Sequence, residues 1–97
     1  MSIVQFSQRV SIPPHVIFRE LQGEAVLLNL NSERYYGLDE VGTRFWNVLA
    51  VSDSIDQAYQ ILVQEYDAQP DELQGDIKRL IDELLDQGLI EVVDEGS

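Results

Sequence analysis

The chain has 97 residues, a formal net charge of −12 at pH 7, an apolar fraction of 44% and no cysteine. This length supports one small domain with a single core. The lack of cysteine excludes disulfides and thiolate metal sites and favours the reducing cytoplasm as its location. No apolar run is long enough to span a bilayer, so we expect no membrane association.

The negative charge is concentrated in the second half of the chain. Residues 1–52 carry five acidic and four basic side chains, a net charge of −1, whereas residues 53–97 carry thirteen and two, a net charge of −11. Such a field repels phosphate backbones and anionic lipids, which argues against nucleic acids and membranes as partners. The charge fits a solvated helical surface that maintains solubility; attraction of a basic partner is the alternative.

The first predicted element is a half-buried strand over residues 3–12, because apolar and polar residues alternate there. Gln8 is the one polar interruption on the apolar face, and Pro13–Pro14 ends the strand. The apolar face consists of Val4, Phe6, Val10 and Ile12.

Three further strands with short turns predict an antiparallel meander: Val16–Leu21, Ala25–Leu30 and Arg34–Leu38. The middle strand is apolar on both faces, which indicates a central strand or one covered on both sides. The third strand is expected at the sheet edge, with unpaired backbone groups along its outer side. Its two tyrosines, Tyr35 and Tyr36, must point to opposite faces, so one packs inward and the other is available to a ligand.

Three helices follow the meander. Asp39 and Ser54 are natural N-caps for the first two, Pro70 is a favoured first-turn residue for the third, and Gly88 ends it. Leu89–Val93 is a candidate final short strand. Trp46 is expected to pack on the flank of the first helix. The three apolar stripes are Val41, Phe45, Val48 and Leu49; Ile55, Ala58, Tyr59, Leu62 and Tyr66; and Leu73, Ile77, Leu80, Ile81, Leu84 and Leu85.

This order predicts an α+β, winged-helix-like domain: an N-terminal three-stranded antiparallel sheet followed by three helices. No residue set supports catalysis. The sole histidine, His15, is expected in an exposed loop, and carboxylate pairs such as Asp82 and Asp86 fit solvated helix charge. We therefore predict a non-enzymatic binding module without a metal or another cofactor.

Three segments resemble the PqqD-like family, named after the pyrroloquinoline quinone biosynthesis protein D. These are Glu24–Leu30, Arg34–Thr43 and Leu84–Ile90, of which the Tyr-Tyr-Gly-Leu-Asp run and its flanks are the most specific. The resemblance covers residues 9–93, within a single domain over residues 1–97.

The resemblance implies a peptide chaperone for ribosomally synthesised, post-translationally modified peptides. In that family the leader of the precursor adds as a strand to the third strand, beside the third helix, and is delivered to a modifying enzyme or leader peptidase. The segment Tyr35–Asp39 is more similar to stand-alone subunits of lasso-peptide clusters. The alternatives are a quinone-type precursor chaperone working with a radical enzyme, and a general protein-interaction subunit.

The resemblance also implies a set of leader-binding residues. Lys78 and Arg79, the two basic residues of the acidic half, would contact leader carboxylates, with ordinary surface solubility as the alternative reason for their charge. The third strand would contribute Arg34, Tyr35, Tyr36, Gly37 and Leu38. The third helix would contribute groove walls from Ile77, Leu80, Ile81 and Leu84, some of which must belong to the core.

Three further expectations follow from the proposed edge strand and third helix. The amide of Tyr36 should face outward, and a charge at Leu73 should disrupt the core. The exposed edge also permits a strand-exchanged dimer. A DNA-binding winged helix needs a basic recognition helix, but Asp71–Gln87 holds six acidic and two basic residues, which makes DNA binding unlikely.

Overall fold

The structure, a computed structural model, describes residues 5–67 and 69–94. Within these residues the strands are short and the helices make up the middle of the chain. In chain order the elements are β1 (Arg9–Ser11), β2 (Val16–Leu21), β3 (Glu24–Asn29), β4 (Arg34–Leu38), α1 (Glu40–Val51), α2 (Ile55–Glu65), α3 (Pro70–Asp86) and β5 (Glu91–Val93). None of the helices in the described ranges is long and apolar enough to cross a membrane.

The strands form two antiparallel sheets, which confirms the α+β class. One is the predicted meander, in the order β2-β3-β4, and the other pairs β1 with β5. The predicted final strand is therefore confirmed. Because β5 follows the helices in the chain, the sheets are only partly N-terminal.

The prediction of one long strand over residues 3–12 is wrong. The strand covers only Arg9–Ser11, and a turn precedes it. In that turn Gln8 N–H donates to the Gln5 carbonyl at 3.0 Å, and Gln5 N–H donates to Gln8 Oε1 at 2.8 Å. A side chain that satisfies a nearby amide competes with the strand ladder. Val4 lies outside the described residues.

The helix boundaries agree with the predicted caps. Asp39 Oδ1 accepts the Gly42 N–H at 2.8 Å, and Ser54 Oγ accepts the Gln57 N–H at 3.0 Å. Pro70 is the first residue of α3, and Gly88, just after the helix, has a φ of +69°. These local signals therefore fix where each helix begins and where α3 ends.

The core lies between the helices and the inner face of the meander. Trp46 is buried and stacks on Phe18 of β2, with ring centroids 5.7 Å apart. Val41 was predicted on the apolar stripe of α1 that includes Phe45, but it is 46% exposed. It lies about 140° from Trp46 around α1, so turning Trp46 toward the sheet turns Val41 toward solvent. The fully buried large side chains are Leu27, Ile55, Leu62, Ile77, Ile81, Leu84 and Leu89.

The middle strand β3 is central, but only one of its faces is covered. Ala25 and Leu27 are buried on the inner face, whereas Val26 is 44% exposed on the outer face. In β2 and β4, Ile17 and Tyr35 lie on that same outer face. The apolar pattern of β3 therefore does not mean burial on both sides.

Asn29, at the end of β3, ties the meander to the end of α3. Its Nδ2 donates to the Gln87 carbonyl at 2.9 Å and lies 3.4 Å from the Gly88 carbonyl. Its Oδ1 accepts the Asn31 and Ser32 amides at 2.9 and 3.3 Å. One buried side chain thereby holds both the turn before β4 and the C-terminus of α3.

We expect Asn29→Ala to lower the free energy of unfolding by about 2 kcal/mol, because buried polar groups would lose their partners. Urea denaturation would measure this loss. Asn31→Ala changes an exposed asparagine two residues away and should stay within about 0.5 kcal/mol. Equal stabilities of the two variants would contradict this role of Asn29.

Candidate functional site

Strand β4 forms one edge of the meander and, within residues 5–67 and 69–94, pairs only with β3. An edge strand presents a row of backbone donors and acceptors to a second chain. Which residues supply them depends on the register of β4. The structure determines this register through β3.

Two observations show which residues of β3 turn their N–H and C=O groups toward β2. Gln22 and Gly23, with φ values of 56° and 85°, form the two-residue turn between β2 and β3. A turn of this type joins a hydrogen-bonded pair, and such pairs alternate along the ladder, so the even-numbered residues of β3 bond to β2. The Leu30 N–H, which donates to the His15 carbonyl at 2.9 Å, agrees with this direction.

The odd-numbered residues of β3 therefore face β4. They pair with Arg34, Tyr36 and Leu38, whose backbone groups bond within the sheet. The backbone groups of Tyr35 and Gly37 point away from the sheet. The expectation that the Tyr36 amide faces outward is thus wrong, and the outward donors belong to its two neighbours.

The side chains of β4 alternate between the two faces of the meander. Arg34, Tyr36 and Leu38 lie opposite the buried residues of β3 and share the inner face. Tyr36 is half-buried, Leu38 is buried, and Arg34 is exposed. On the outer face Tyr35 is 72% exposed, and Gly37 has open space where a Cβ would stand. The prediction that one tyrosine packs inward and the other does not is confirmed, whereas binding of a ligand by Tyr35 stays a prediction.

A hydrogen bond joins β4 to α3. The Tyr36 hydroxyl donates to Glu83 Oε2 at 2.6 Å. Burial first, and then the adjacent carboxylate, raise the pKa of Tyr36 to about 12. The hydroxyl therefore keeps its proton at neutral pH and remains a donor to Glu83.

Most of the apolar residues that were predicted as groove walls belong to the core. Ile77, Ile81 and Leu84 have no exposed surface. Leu80 is half-buried and packs against the core from its edge. It lies one helical turn before Glu83, on the same side of α3. Of the four predicted groove-wall residues, Leu80 is therefore the one on the side of α3 that carries Glu83, which bonds to Tyr36 of β4.

Lys78 is exposed but lies on a different side of α3. It is five residues from Glu83, which places it about 140° away around the helix. Since Glu83 contacts β4, Lys78 faces away from that strand. Arg79 pairs with Asp76 at 2.6 Å. These placements favour the solubility alternative for Lys78.

Sequence reasoning did not identify Glu83 as a candidate site residue. It is one of six acidic residues in Asp71–Gln87 and has the appearance of solvated helix charge. Its position three residues after Leu80 was the available signal, because residues i and i+3 share a helix face.

His15 was expected to be exposed, but it is half-buried and its Nε2 lies 3.2 Å from the Gly88 carbonyl.

Comparison with known proteins agrees with this fold. The family model described as "Coenzyme PQQ synthesis protein D (PqqD)" matches residues 24–90, a range that contains β4 and α3. The solved structure "TbiB1 in Complex with the TbiA(beta) Leader Peptide" matches with 26% identity and a TM-score of 0.75, over 84% of this chain and 94% of that chain. No curated protein sequence matches significantly. Because the family model covers more than half of this chain, the chain belongs to the PqqD family.

Proposed function

We propose that this protein is a non-catalytic chaperone that binds the leader of a ribosomally synthesised precursor peptide. The leader adds as a strand to β4, beside α3, within a winged-helix-like domain. The observation that carries this proposal is the free edge of β4, where the backbone groups of Tyr35 and Gly37 point outward and Tyr36 bonds to Glu83 of α3. Main-chain hydrogen bonds to these groups give affinity, and side-chain pockets give specificity.

The solved structure of TbiB1 supports a peptide ligand, because TbiB1 is in complex with a leader peptide there. That similarity extends over 84% of this chain and 94% of that chain. The resemblance of Tyr35–Asp39 to the stand-alone subunits of lasso-peptide clusters favours a lasso-type pathway, in which the chaperone delivers the leader to a leader peptidase. The description of the matching family favours a quinone-type precursor instead, and this is the alternative.

The proposed mechanism is binding and delivery, without bond making or breaking. Paired to β4, the leader would be held in an extended conformation. Segments of the precursor outside the bound region would stay accessible to the partner enzyme. A cofactor has no role in this mechanism.

Fluorescence anisotropy with a labelled leader, taken from the precursor gene beside this one, tests the proposal. We expect saturable binding that a scrambled peptide of the same composition does not reproduce. The leader of a quinone-cofactor precursor serves as a second probe and distinguishes the two pathways. Failure of both leaders to bind would overturn the proposed function.

The same edge of β4 can pair with β4 of a second copy, which would give a strand-exchanged dimer. Such a dimer would occupy the proposed leader site. We therefore expect any dimer to dissociate as the leader is added. Analytical ultracentrifugation with and without the leader would measure this competition.

A further inference from the structure

We propose that Glu83, positioned by Tyr36, is a specificity-determining residue that selects a lysine or arginine side chain in the bound peptide. This inference rests on the proposed function, because it assumes a peptide strand alongside β4. It assigns a chemical preference to one position of that peptide, the one opposite Tyr36.

The register of β4 determines which peptide side chain faces Tyr36. An antiparallel strand added to the free edge would bond to the backbone of Tyr35 and Gly37, so the residue opposite Tyr36 would form a non-hydrogen-bonded pair. Side chains in such pairs lie especially close, with Cβ atoms roughly 4.5–5.5 Å apart. The peptide side chain opposite Tyr36 would therefore lie along the tyrosine ring, on the inner face.

The Tyr36 ring leads to the carboxylate of Glu83. The hydroxyl at its tip is 2.6 Å from Glu83 Oε2. A lysine or arginine side chain is long enough to follow the ring and reach the carboxylate at its end. Its alkyl part would pack on the ring, and its cationic head would bond to Glu83 Oε1.

The hydrogen bond from Tyr36 orients Glu83 before any peptide binds. Tyr36 is half-buried and packs against the core, and its hydroxyl holds one carboxylate oxygen. Holding the carboxylate in advance lowers the ordering cost of binding a partner. Other acidic residues of α3 reinforce a preference for positive charge, since the net charge of residues 53–97 is −11. A peptide carboxylate at this position would be repelled.

A charge-swap experiment tests this inference. The leader from the binding assay is synthesised as two scanning sets, one with lysine and one with glutamate at each position in turn. Their affinities are measured for the wild type, Glu83→Gln and Glu83→Lys. For the wild type we expect one position at which lysine binds about tenfold more tightly than glutamate. Glu83→Gln should remove most of that difference, and Glu83→Lys should invert it at that position alone.

Asp71→Asn is the matched control, because it removes one negative charge from the same helix. Residue 71 lies about 120° from Glu83 around α3, more than three turns earlier. We expect it to leave the lysine-to-glutamate ratio unchanged. Tyr36→Phe should weaken the preference without inverting it, since the ring remains and only the positioning hydroxyl is lost.

The outcomes separate this inference from the proposed function. Suppose that leaders bind the wild type and that Glu83→Lys shows the same ratio of lysine-leader to glutamate-leader affinity as the wild type at every position. That result would overturn the role of Glu83 and leave the peptide-binding function intact. If no leader binds the wild type, the proposed function fails, and the inference fails with it. Should Glu83→Lys not fold, Glu83→Gln decides the question, because it changes the charge and keeps the shape.

Discussion

Proline at Tyr36 should strongly destabilise the protein, whereas proline at Tyr35 should leave it folded and weaken peptide binding. The Tyr36 N–H faces β3, where its register partner is the buried Leu27. Tyr36→Pro removes this hydrogen bond, leaves a buried carbonyl without its donor and also removes the bond to Glu83. We expect a loss of about 4 kcal/mol in the free energy of unfolding, out of roughly 5–15 kcal/mol for a domain of this size.

The Tyr35 N–H points away from the sheet, so Tyr35→Pro removes no bond of the ladder. It removes one donor from the peptide site and places a bulky ring at the edge. We expect affinity for the leader to fall by about tenfold or more, with the melting temperature nearly unchanged. Anisotropy titration and thermal denaturation monitored by circular dichroism measure the two effects.

Tyr35→Ala is the matched control, because it removes the same side chain and keeps the N–H. Its affinity separates the contribution of the ring from that of the backbone donor. A stable Tyr36→Pro variant together with an unfolded Tyr35→Pro variant would show that the register of β4 is shifted by one residue. Equal leader affinities of Tyr35→Pro and Tyr35→Ala would argue against pairing at the β4 edge.

A second large effect is expected for Leu73→Asp in the first half of α3. Leu73 is 2% exposed and belongs to the core. An aspartate there would bury an unpaired charge and remove apolar contacts, which we expect to cost about 4 kcal/mol or more. Urea denaturation, or the loss of cooperative unfolding, would measure it.

Leu21→Asp provides the same chemical change at an exposed site. Leu21 is 77% exposed at the end of β2. Its replacement should change the free energy of unfolding by no more than about 0.5 kcal/mol. If Leu73→Asp is as stable as Leu21→Asp, Leu73 is not buried in the core, and the observed placement of α3 is contradicted.

Local sequence signals were sufficient for most of the elements. The caps at Asp39 and Ser54, the first-turn Pro70 and the terminal Gly88 act through bonds or backbone angles within a few residues. They can therefore be identified without knowledge of the rest of the fold. At Gln8 a strand and a turn were both possible. The alternating pattern predicted a strand, but the structure has a turn.

The candidate site could be predicted only in part. Alternation predicted that only one tyrosine of β4 packs inward, and the structure shows that Tyr35 is the exposed one. The direction of the backbone groups depends on the turn at Gln22–Gly23 and on pairing across three strands, and the prediction for Tyr36 was wrong for that reason. The partner of Tyr36 could not be foreseen, because Glu83 is 47 residues away along the chain.

The sequence by itself determined the class of the fold, the order of its main elements and the family resemblance, since these depend on periodicity, caps and local motifs. Only the tertiary structure decided which side of α3 faces β4. A helix with a broad apolar stripe can turn either flank toward a neighbouring strand, and contacts between distant residues select one. Here that selection buried Ile77, Ile81 and Leu84, turned Lys78 away from β4 and placed Glu83 against Tyr36.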